Sequence, residues 1–271
     1  MRILFLSPAE PFYLPAFYRH LFENMPPVHQ ARVTIVPPVY KNSTRLGLAI
    51  RYAKTFGLKE ALVLTSRAVH YKAMDLLARN NGNRFYSLPA VLRKYRVPYS
   101  CEPEINSTDF LKKLRDWNTE LIISISCPQI FKKELIGLPP KGCLNLHGSP
   151  LPDYRGIMPS FWMLANNEKE AGITLFFVNE KIDAGDVLIQ KRFPVLSVDT
   201  LDSLIAKSKK IGAEMVLDGI GLIEKGNPET WSIDMSKGRY FGWPKSEDVE
   251  RFLGHGRRFR KKTGTGPGAL N

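Results

Sequence analysis

Short apolar runs alternate with longer amphipathic segments along the chain, and glycine, proline or small polar residues bound most of the runs. Met1–Ser7, Ala31–Val36 and Glu120–Ser126 are apolar runs of strand length, which we predict to be buried strands. Residues 8–23 predict a proline-rich turn that leads into a helix. Strands that alternate with helices are typical of a parallel sheet with helices on both faces, so the pattern predicts an α/β fold.

The same alternation continues towards the C-terminus. It predicts strands over residues 143–147 and Gly172–Val178, and helices over Thr108–Asn118, Pro159–Asn166 and Leu201–Leu217. Ser107 or Thr108 is expected to cap the first of these helices, and Asp199 or Thr200 the last. Side-chain oxygens of these residue types satisfy the free N–H groups at the start of a helix.

Residues 41–96 depart from this pattern through their charge. They contain twelve Lys or Arg residues and only two acidic residues, Glu60 and Asp75. Within Arg45–Arg79, apolar and basic residues interleave as in a basic amphipathic helix or a pair of helices. Such a surface could contact an anionic membrane or a nucleic acid, but a helix packed on the sheet with its charges in solvent explains the pattern equally well.

The net charge of +13 is concentrated in two stretches, residues 41–96 and residues 251–262, of which the second has six basic and no acidic residues. An anionic partner is therefore expected to meet them. We predict a main domain over residues 1–220 that contains residues 41–96 as a basic, partly helical insertion. An extension over residues 221–256 is expected to pack on the core, and residues 257–271 to form a disordered basic tail.

Other features of the composition exclude several classes of protein. The three cysteines, Cys101, Cys127 and Cys143, form no CxxC pair, which argues against a disulfide scaffold or a zinc ribbon. No apolar run approaches the length of a membrane-spanning helix or of a signal sequence. The sequence thus predicts a cytoplasmic protein, with peripheral attachment to the inner face of the membrane as an option.

Polar side chains that could take part in catalysis lie at the ends of two predicted strands. Strand periodicity places Asn145 and His147 on one face of the strand 143–147, just before a Gly-Ser-Pro turn. Asp183 lies in the loop 179–186, which follows the strand Gly172–Val178. The carboxyl ends of parallel strands border the ligand crevice of an open sheet, so we expect the three side chains to meet there.

These three side chains suit acyl transfer to an amine. A carboxylate such as Asp183 can orient the imidazole of His147 for proton transfer, and Asn145 can donate a hydrogen bond to a carbonyl oxygen that gains negative charge. From spacing alone the choice stays open, since Asn, His and Asp also assemble in lyases, hydrolases and structural networks.

The run at residues 145–156 (NLHGSPLPDYRG), with Asp183 following His147 by 36 residues inside 180–186 (EKIDAGD), resembles the signature of folate-dependent formyltransferases. That family includes methionyl-tRNA formyltransferase, glycinamide ribonucleotide formyltransferase and nucleotide-sugar N-formyltransferases. The resemblance is clear over residues 120–217. It implies a Rossmann-like, mostly parallel sheet, catalysis by Asn145, His147 and Asp183, 10-formyltetrahydrofolate as co-substrate, and no metal.

The resemblance also implies which residues contact the folate. They come from two loops and from the turn at residues 149–156, which we call the signature turn: Ser126, Cys127, Pro128, Ile130, Leu151, Pro152, Gly156, Val178, Glu180, Lys181, Ile182 and Gly185. One position departs from the family pattern, because Pro150 stands where the family turn usually has leucine. A proline there changes the freedom of the local backbone.

Two features of the sequence bear on the acceptor. The turn after the first strand lacks the glycine-rich phosphate loop of glycinamide ribonucleotide formyltransferase. Its residues Glu10, Pro11 and Phe12 better resemble the same turn in methionyl-tRNA formyltransferase and the nucleotide-sugar N-formyltransferases. We predict that these three residues and Arg155 contact the acceptor. Too few residues follow position 217 for the C-terminal barrel typical of the tRNA enzyme, which favours a nucleotide- or lipid-linked amino sugar whose phosphates meet the basic segments.

Other functions remain open. Residues 41–96 and 251–262 could grip tRNA phosphates in a shortened methionyl-tRNA formyltransferase, or water could replace the amine in a formyltetrahydrofolate hydrolase. A catalytically silent protein that binds membrane or nucleic acid is a third option. A nicotinamide-dependent oxidoreductase is disfavoured because no GxGxxG follows the first strand. No stable protein partner is predicted.

Overall fold

The computed structural model describes residues 1–38, 45–77, 84–181, 183–226 and 228–261. Seven of its strands form one sheet, in the order β3-β2-β1-β4-β5-β7-β8. The strands are β1 (Arg2–Ser7), β2 (Gln30–Ile35), β3 (Tyr99–Cys101), β4 (Leu121–Ile125), β5 (Cys143–His147), β7 (Glu170–Phe177) and β8 (Val187–Pro194). β6 (Arg155–Gly156) and β9 (Tyr240–Phe241) pair separately as a small second sheet.

The strands from β3 to β5 run parallel, which confirms the predicted α/β fold with its mostly parallel sheet. β7 and β8 instead join the edge in antiparallel pairs. The short loop between β7 and β8 makes them a hairpin, and strands joined in that way must run in opposite directions. The strand predicted over Gly172–Val178 exists, but it points against its neighbour β5.

The predicted helices are present in the predicted order, and further short helices stand between and after them. They are α1 (Leu14–Asn24), α2 (Arg45–Phe56), α3 (Leu58–Leu76), α4 (Leu88–Lys94), α5 (Thr108–Asp116), α6 (Lys133–Ile136), α7 (Pro159–Ala165), α8 (Leu201–Lys225) and α9 (Ser246–Gly254). The Ser107 side chain caps α5 by accepting from Phe110 N, and Thr200 caps α8 in a capping box with Ser203. α8 continues past residue 220, so the border predicted there falls inside a helix.

Both faces of the sheet are covered, as alternation along the strands requires. Ile3 and Phe5 of β1 pack in one cluster with residues of α1, α4 and α8. Leu4 and Leu6 point the other way and pack with residues of α5 and α6. Among the described helices, none is long and apolar enough to cross a membrane.

The basic segment contains the predicted pair of helices, α2 and α3, which are separated by Gly57 with φ of 90°. The parts of this segment at 41–44 and 78–83, and residues 262–271 of the predicted tail, lie outside the described residues.

The start of that tail is packed on the body of the protein, where the sequence predicts disorder. Arg257 is buried and donates from Nη1 to Leu196 O at 2.9 Å. Arg258 O accepts from Leu201 N at 2.9 Å, and the Phe259 ring lies 4.8 Å from the Phe252 ring. Backbone hydrogen bonds and aromatic burial hold residues 257–261 in place, because they offset the conformational entropy lost when the segment becomes ordered. A tail of polar residues alone could not offset that loss.

Candidate active site

His147 ends β5 and is buried, with 8% of its surface exposed. Its Nε2 lies 2.9 Å from Tyr154 O. A carbonyl oxygen only accepts, so Nε2 carries the proton of this hydrogen bond. This hydrogen bond keeps the proton on Nε2, which leaves Nδ1 as the nitrogen able to exchange a proton with a reactant.

Asn145 lies two residues earlier on the same face of β5 and is half-buried. In the sheet it is opposite Ser124 of β4 and Phe176 of β7. Its amide makes no hydrogen bond to any other residue that the structure describes. Among the described residues the amide is thus a neutral donor with no partner, which suits stabilisation of an oxyanion.

Asp183 lies in the loop between β7 and β8 with φ of 50°, and its side chain is half-buried. Because β7 runs antiparallel to β5, this loop starts beside Cys143 at the far end of β5, with Val178 N donating to Cys143 O at 2.7 Å. The expectation that both strands end at the same edge of the sheet is therefore wrong. The loop folds back, and Asp183 Oδ2 accepts from Gly156 N at 3.2 Å.

His147 and Asp183 thus meet through the segment Tyr154–Gly156 and not through a direct hydrogen bond. Tyr154 O accepts from the imidazole, and Gly156 N donates to the carboxylate. One short piece of backbone positions both side chains.

The signature turn is anchored by β7 and β8. Thr174 Oγ1 donates to Ser149 O at 2.7 Å and accepts from Leu151 N at 3.1 Å, while Gln190 Nε2 donates to Leu151 O at 2.9 Å. Pro150, which departs from the family pattern, packs against Gly172 of β7, where a Cβ atom would lie 2.6 Å from the proline ring. The absence of a side chain at Gly172 makes room for that proline.

The predicted folate contacts fall in two places. The loop after β4 starts at Ser126 with φ of 57°, and Gln129 and Asn106 tie it to the turn at residues 103–106. Its Cys127 is half-buried, while the side chains of Pro128 and Ile130 are exposed.

The other predicted folate contacts lie in the signature turn and the loop after β7. Leu151 and Gly185 are buried, Pro152, Gly156 and Val178 are half-buried, and Glu180 and Lys181 are exposed. Ile182 lies outside the described residues.

The residues predicted to contact the acceptor differ in their hydrogen bonding. Glu10 caps α1, since its carboxylate accepts from the backbone N–H groups of Phe12, Tyr13 and Leu14 at 2.6–3.1 Å. Burial raises the pKa of Glu10, and those N–H groups oppose the shift. Pro11 and Phe12 are half-buried in the same turn. In the described structure, Arg155 has a buried Nε without a hydrogen-bond partner, a donor in need of an acceptor.

Lys209 of α8 is a candidate residue that the sequence reasoning missed. Its Nζ donates to Ser126 Oγ at 2.8 Å. Burial lowers the pKa of this ammonium group to about 8, although the Glu10 carboxylate opposes the shift. Ile125 pairs with Leu146, so the next residues, Ser126 and His147, are neighbours at the carboxyl edge of the sheet.

A signal for Lys209 existed in the sequence. Lys209 lies one helical turn before Gly212, whose Cα faces Leu146 so closely that a Cβ atom would lie 2.7 Å from the leucine side chain. A lysine on the sheet-facing side of an amphipathic helix is unusual unless it has a partner.

The C-terminal extension closes over the signature segment. The Phe241 ring stacks on Tyr154 at 4.9 Å, and Gly156 approaches Phe241 O so closely that a Cβ atom would lie 2.3 Å from it. Within the described part of the chain, no group of three or more His, Cys, Asp or Glu side chains is placed to hold a metal ion.

Comparison with known proteins places this geometry in context. The sequence model of a family described as formyl transferase matches residues 58–220. The methionyl-tRNA formyltransferase of Thermodesulfovibrio yellowstonii is 37% identical over 138 residues, which are 49% of this chain and 45% of that protein. The chain spans about half the length of the curated relatives it matches.

Solved structures agree on the fold. A sugar N-formyltransferase from a Shewanella species has a TM-score of 0.57 at 19% identity, covering 93% of this chain and 88% of that chain. An N-formyltransferase from Helicobacter canadensis, in complex with folinic acid and dTDP-3-aminofucose, has a TM-score of 0.57 at 16% identity, covering 93% and 79%. At these identities the likeness concerns the fold alone.

Proposed function

Because the chain belongs to the formyl transferase family, we propose that it transfers a formyl group from 10-formyltetrahydrofolate to a primary amine. The observation that carries this proposal is the arrangement at the end of β5. His147 is held through Nε2 with Nδ1 free, the Asn145 amide is an available donor, and the Asp183 carboxylate is attached to the same segment as the imidazole.

Each of the three side chains has a role in this reaction. The uncharged amine forms a C–N bond to the formyl carbon, and the carbonyl π electrons move to its oxygen. Asn145 and the Nδ1–H of protonated His147 donate to that oxyanion. Asp183, directly or through water, takes the proton that leaves the attacking nitrogen, and the carbonyl re-forms as the bond to the folate nitrogen breaks. Asp183 passes that proton on to the folate nitrogen, directly or through water, and tetrahydrofolate departs.

For the folate we propose the space between the loop at residues 126–130 and the loop at residues 178–185. The first loop follows Ile125, which pairs with Leu146 of β5, and the second starts beside Cys143 of β5 and brings Asp183 to Gly156. The Helicobacter canadensis protein of the same fold was solved with folinic acid, which supports a folate compound as the formyl donor.

For the acceptor we propose an amino sugar linked to a nucleotide or a lipid through phosphate. The Lys209 ammonium and the Arg155 guanidinium, whose Nε has no hydrogen-bond partner among the described residues, are cationic groups on two different elements that can pair with phosphate oxygens. The dTDP-3-aminofucose bound in the Helicobacter canadensis structure is an amino sugar of that chemistry.

We expect Lys209→Met to raise the KM for a phosphate-bearing acceptor about tenfold, since a charge-assisted hydrogen bond contributes about 1.5–3 kcal/mol. In the wild-type enzyme KM should also rise as the pH passes about 8, because the ammonium group loses its proton there. The variant should lack that step. Initial-rate kinetics from pH 6 to 9.5, roughly the range around that pKa, would measure both effects.

Lys210→Met is the matched control for this prediction, because Lys210 is the next residue of α8 and is exposed. It should keep the wild-type KM and pH dependence. Identical profiles for Lys209→Met and the wild type would remove Lys209 from the acceptor site.

A second candidate acceptor is initiator tRNA, which is favoured by the identity to methionyl-tRNA formyltransferases. Incubation with 10-formyltetrahydrofolate and separate pools of nucleotide amino sugars, lipid-linked amines and initiator tRNA distinguishes the two, with tetrahydrofolate release as the readout. Release with the sugar or lipid pools supports the proposal. Release with tRNA alone, steeply reduced by salt, assigns the tRNA reaction instead. Release without any acceptor indicates a hydrolase.

A further inference from the structure

The outer side of α3 carries a row of exposed aliphatic side chains. Among the described residues of this helix none is buried. The exposed fractions of Leu58, Leu62, Val69 and Leu76 are 68%, 61%, 63% and 77%. At about 100° per residue these four positions fall within an arc of about 40° and form one stripe along the helix. Exposed aliphatic side chains grouped on one side of a helix mark a candidate contact site.

The opposite side of α3 attaches the helix to the body. Arg67 Nη1 forms an ion pair with Asp202 of α8 at 2.9 Å, and Glu60 pairs with Arg260. The Tyr71 ring contacts the Phe12 ring at 5.2 Å. Polar and aromatic contacts hold the helix, so the aliphatic stripe is left facing outwards.

The charges beside the stripe have one sign. Lys72 borders it on one side and Lys59 on the other, and both are exposed. The acidic residues of α3, Glu60 and Asp75, lie on the attached side, where Asp75 accepts from Ser87 Oγ at 2.9 Å. We call the stripe and its two bordering lysines the α3 face; it is apolar and cationic.

We propose that the α3 face docks on an anionic lipid surface. Lipid satisfies both features, because aliphatic side chains enter the boundary between headgroups and acyl chains while lysines meet the headgroup phosphates. A second copy of this chain would oppose lysine to lysine. RNA would pair with the lysines but leave four aliphatic side chains in water. The proposal does not depend on formyl transfer.

The full chain is tested by flotation with vesicles of phosphatidylcholine, with or without phosphatidylglycerol. We expect wild-type protein to bind the vesicles that contain phosphatidylglycerol at least about tenfold more tightly. The double variant L62E/V69E should bind them at least about tenfold more weakly, since it removes two apolar insertions and adds two like charges. K59A/K72A should lose most of the preference for the anionic lipid.

The matched control is V28E/L222E, at the other end of α8 from the α3 face. Val28 and Leu222 are also exposed, by 66% and 38%. Contact between their neighbours His29 and Glu224, at 3.6 Å, places them together at the C-terminal end of α8. This control should bind vesicles like the wild type. All variants should unfold at nearly the wild-type temperature, because exposed substitutions change stability by only about 0.5 kcal/mol.

The proposal would be overturned if the wild type bound no vesicles, or if it bound neutral and anionic vesicles equally. It would also be overturned if L62E/V69E bound vesicles as tightly as the wild type, or if V28E/L222E lost as much vesicle binding as L62E/V69E. Analytical ultracentrifugation tests whether a second copy of the chain binds the α3 face, and an RNA-binding assay tests whether RNA does. A dimer that L62E/V69E abolishes assigns the face to a second copy, and loss of RNA binding in that variant assigns it to nucleic acid.

Discussion

His147→Ala is expected to lower kcat about a hundredfold or more, and Asn145→Ala by a similar factor. Loss of one oxyanion donor costs about 10²–10³ in kcat, and loss of a general acid or base about 10²–10⁴. His147 also donates to Tyr154 O, so its removal leaves that carbonyl without its buried partner. Single-turnover assays with the acceptor identified in the pool experiment would measure the chemical step directly.

The substitution Asp183→Asn, measured in the same assay, removes the carboxylate charge but keeps the hydrogen bond that holds the loop. The amide oxygen of asparagine can still accept from Gly156 N, so the loop should hold its place while the proton acceptor is lost. We expect kcat to fall about a hundredfold with little change in KM. His255→Ala, at an exposed position beyond α9, is the control and should keep full turnover. A His147→Ala protein with wild-type turnover would refute the assignment of this site.

Gly185→Ala is the second substitution for which we expect a large effect. A Cβ atom at this position would lie 1.5 Å from Phe177 O, which is backbone and cannot rotate away. The loop that carries Asp183 must therefore move, and the hydrogen bond to Gly156 N should break. We expect activity to fall about a hundredfold, as for loss of the carboxylate itself, and stability to fall by about 1–3 kcal/mol. Kinetics and thermal unfolding measure the two effects.

Gly221→Ala makes the same chemical change where there is room. Gly221 lies inside α8, and a Cβ atom there would meet no atom within 4 Å. The substitution should stabilise the protein by about 0.5–1 kcal/mol, since alanine favours a helix, and should leave activity unchanged. A Gly185→Ala protein as active and as stable as the wild type would mean that the loop does not hold Asp183 as described.

Local patterns in the sequence predict most of the fold. The apolar runs at β1, β2, β4, β5 and β7 identify five strands, and the caps at Ser107 and Thr200 mark the starts of two helices. These features depend on neighbours within about one helical turn or a few strand residues, which are visible in the chain itself. β8 was beyond such reasoning, since its apolar and polar residues follow no clear alternation.

The candidate site was predictable in its residue types but not in its connections. Asn145, His147 and Asp183 could be selected from strand ends and from the family resemblance. Their mutual placement depends on the antiparallel direction of β7 and on the segment Tyr154–Gly156, which joins imidazole and carboxylate. Neither feature can be predicted from the periodicity of apolar and polar residues in the sequence.

By itself the sequence determined the α/β class and the family, and it selected the residues that we propose for formyl transfer, because residue type and short-range periodicity set these properties. Only the tertiary structure decided which nitrogen of His147 is free, that Lys209 reaches Ser126, and that α3 turns its aliphatic side outwards. Each of these depends on contacts between residues far apart in the chain, and such contacts are chosen by the packing of whole elements and not by their local pattern.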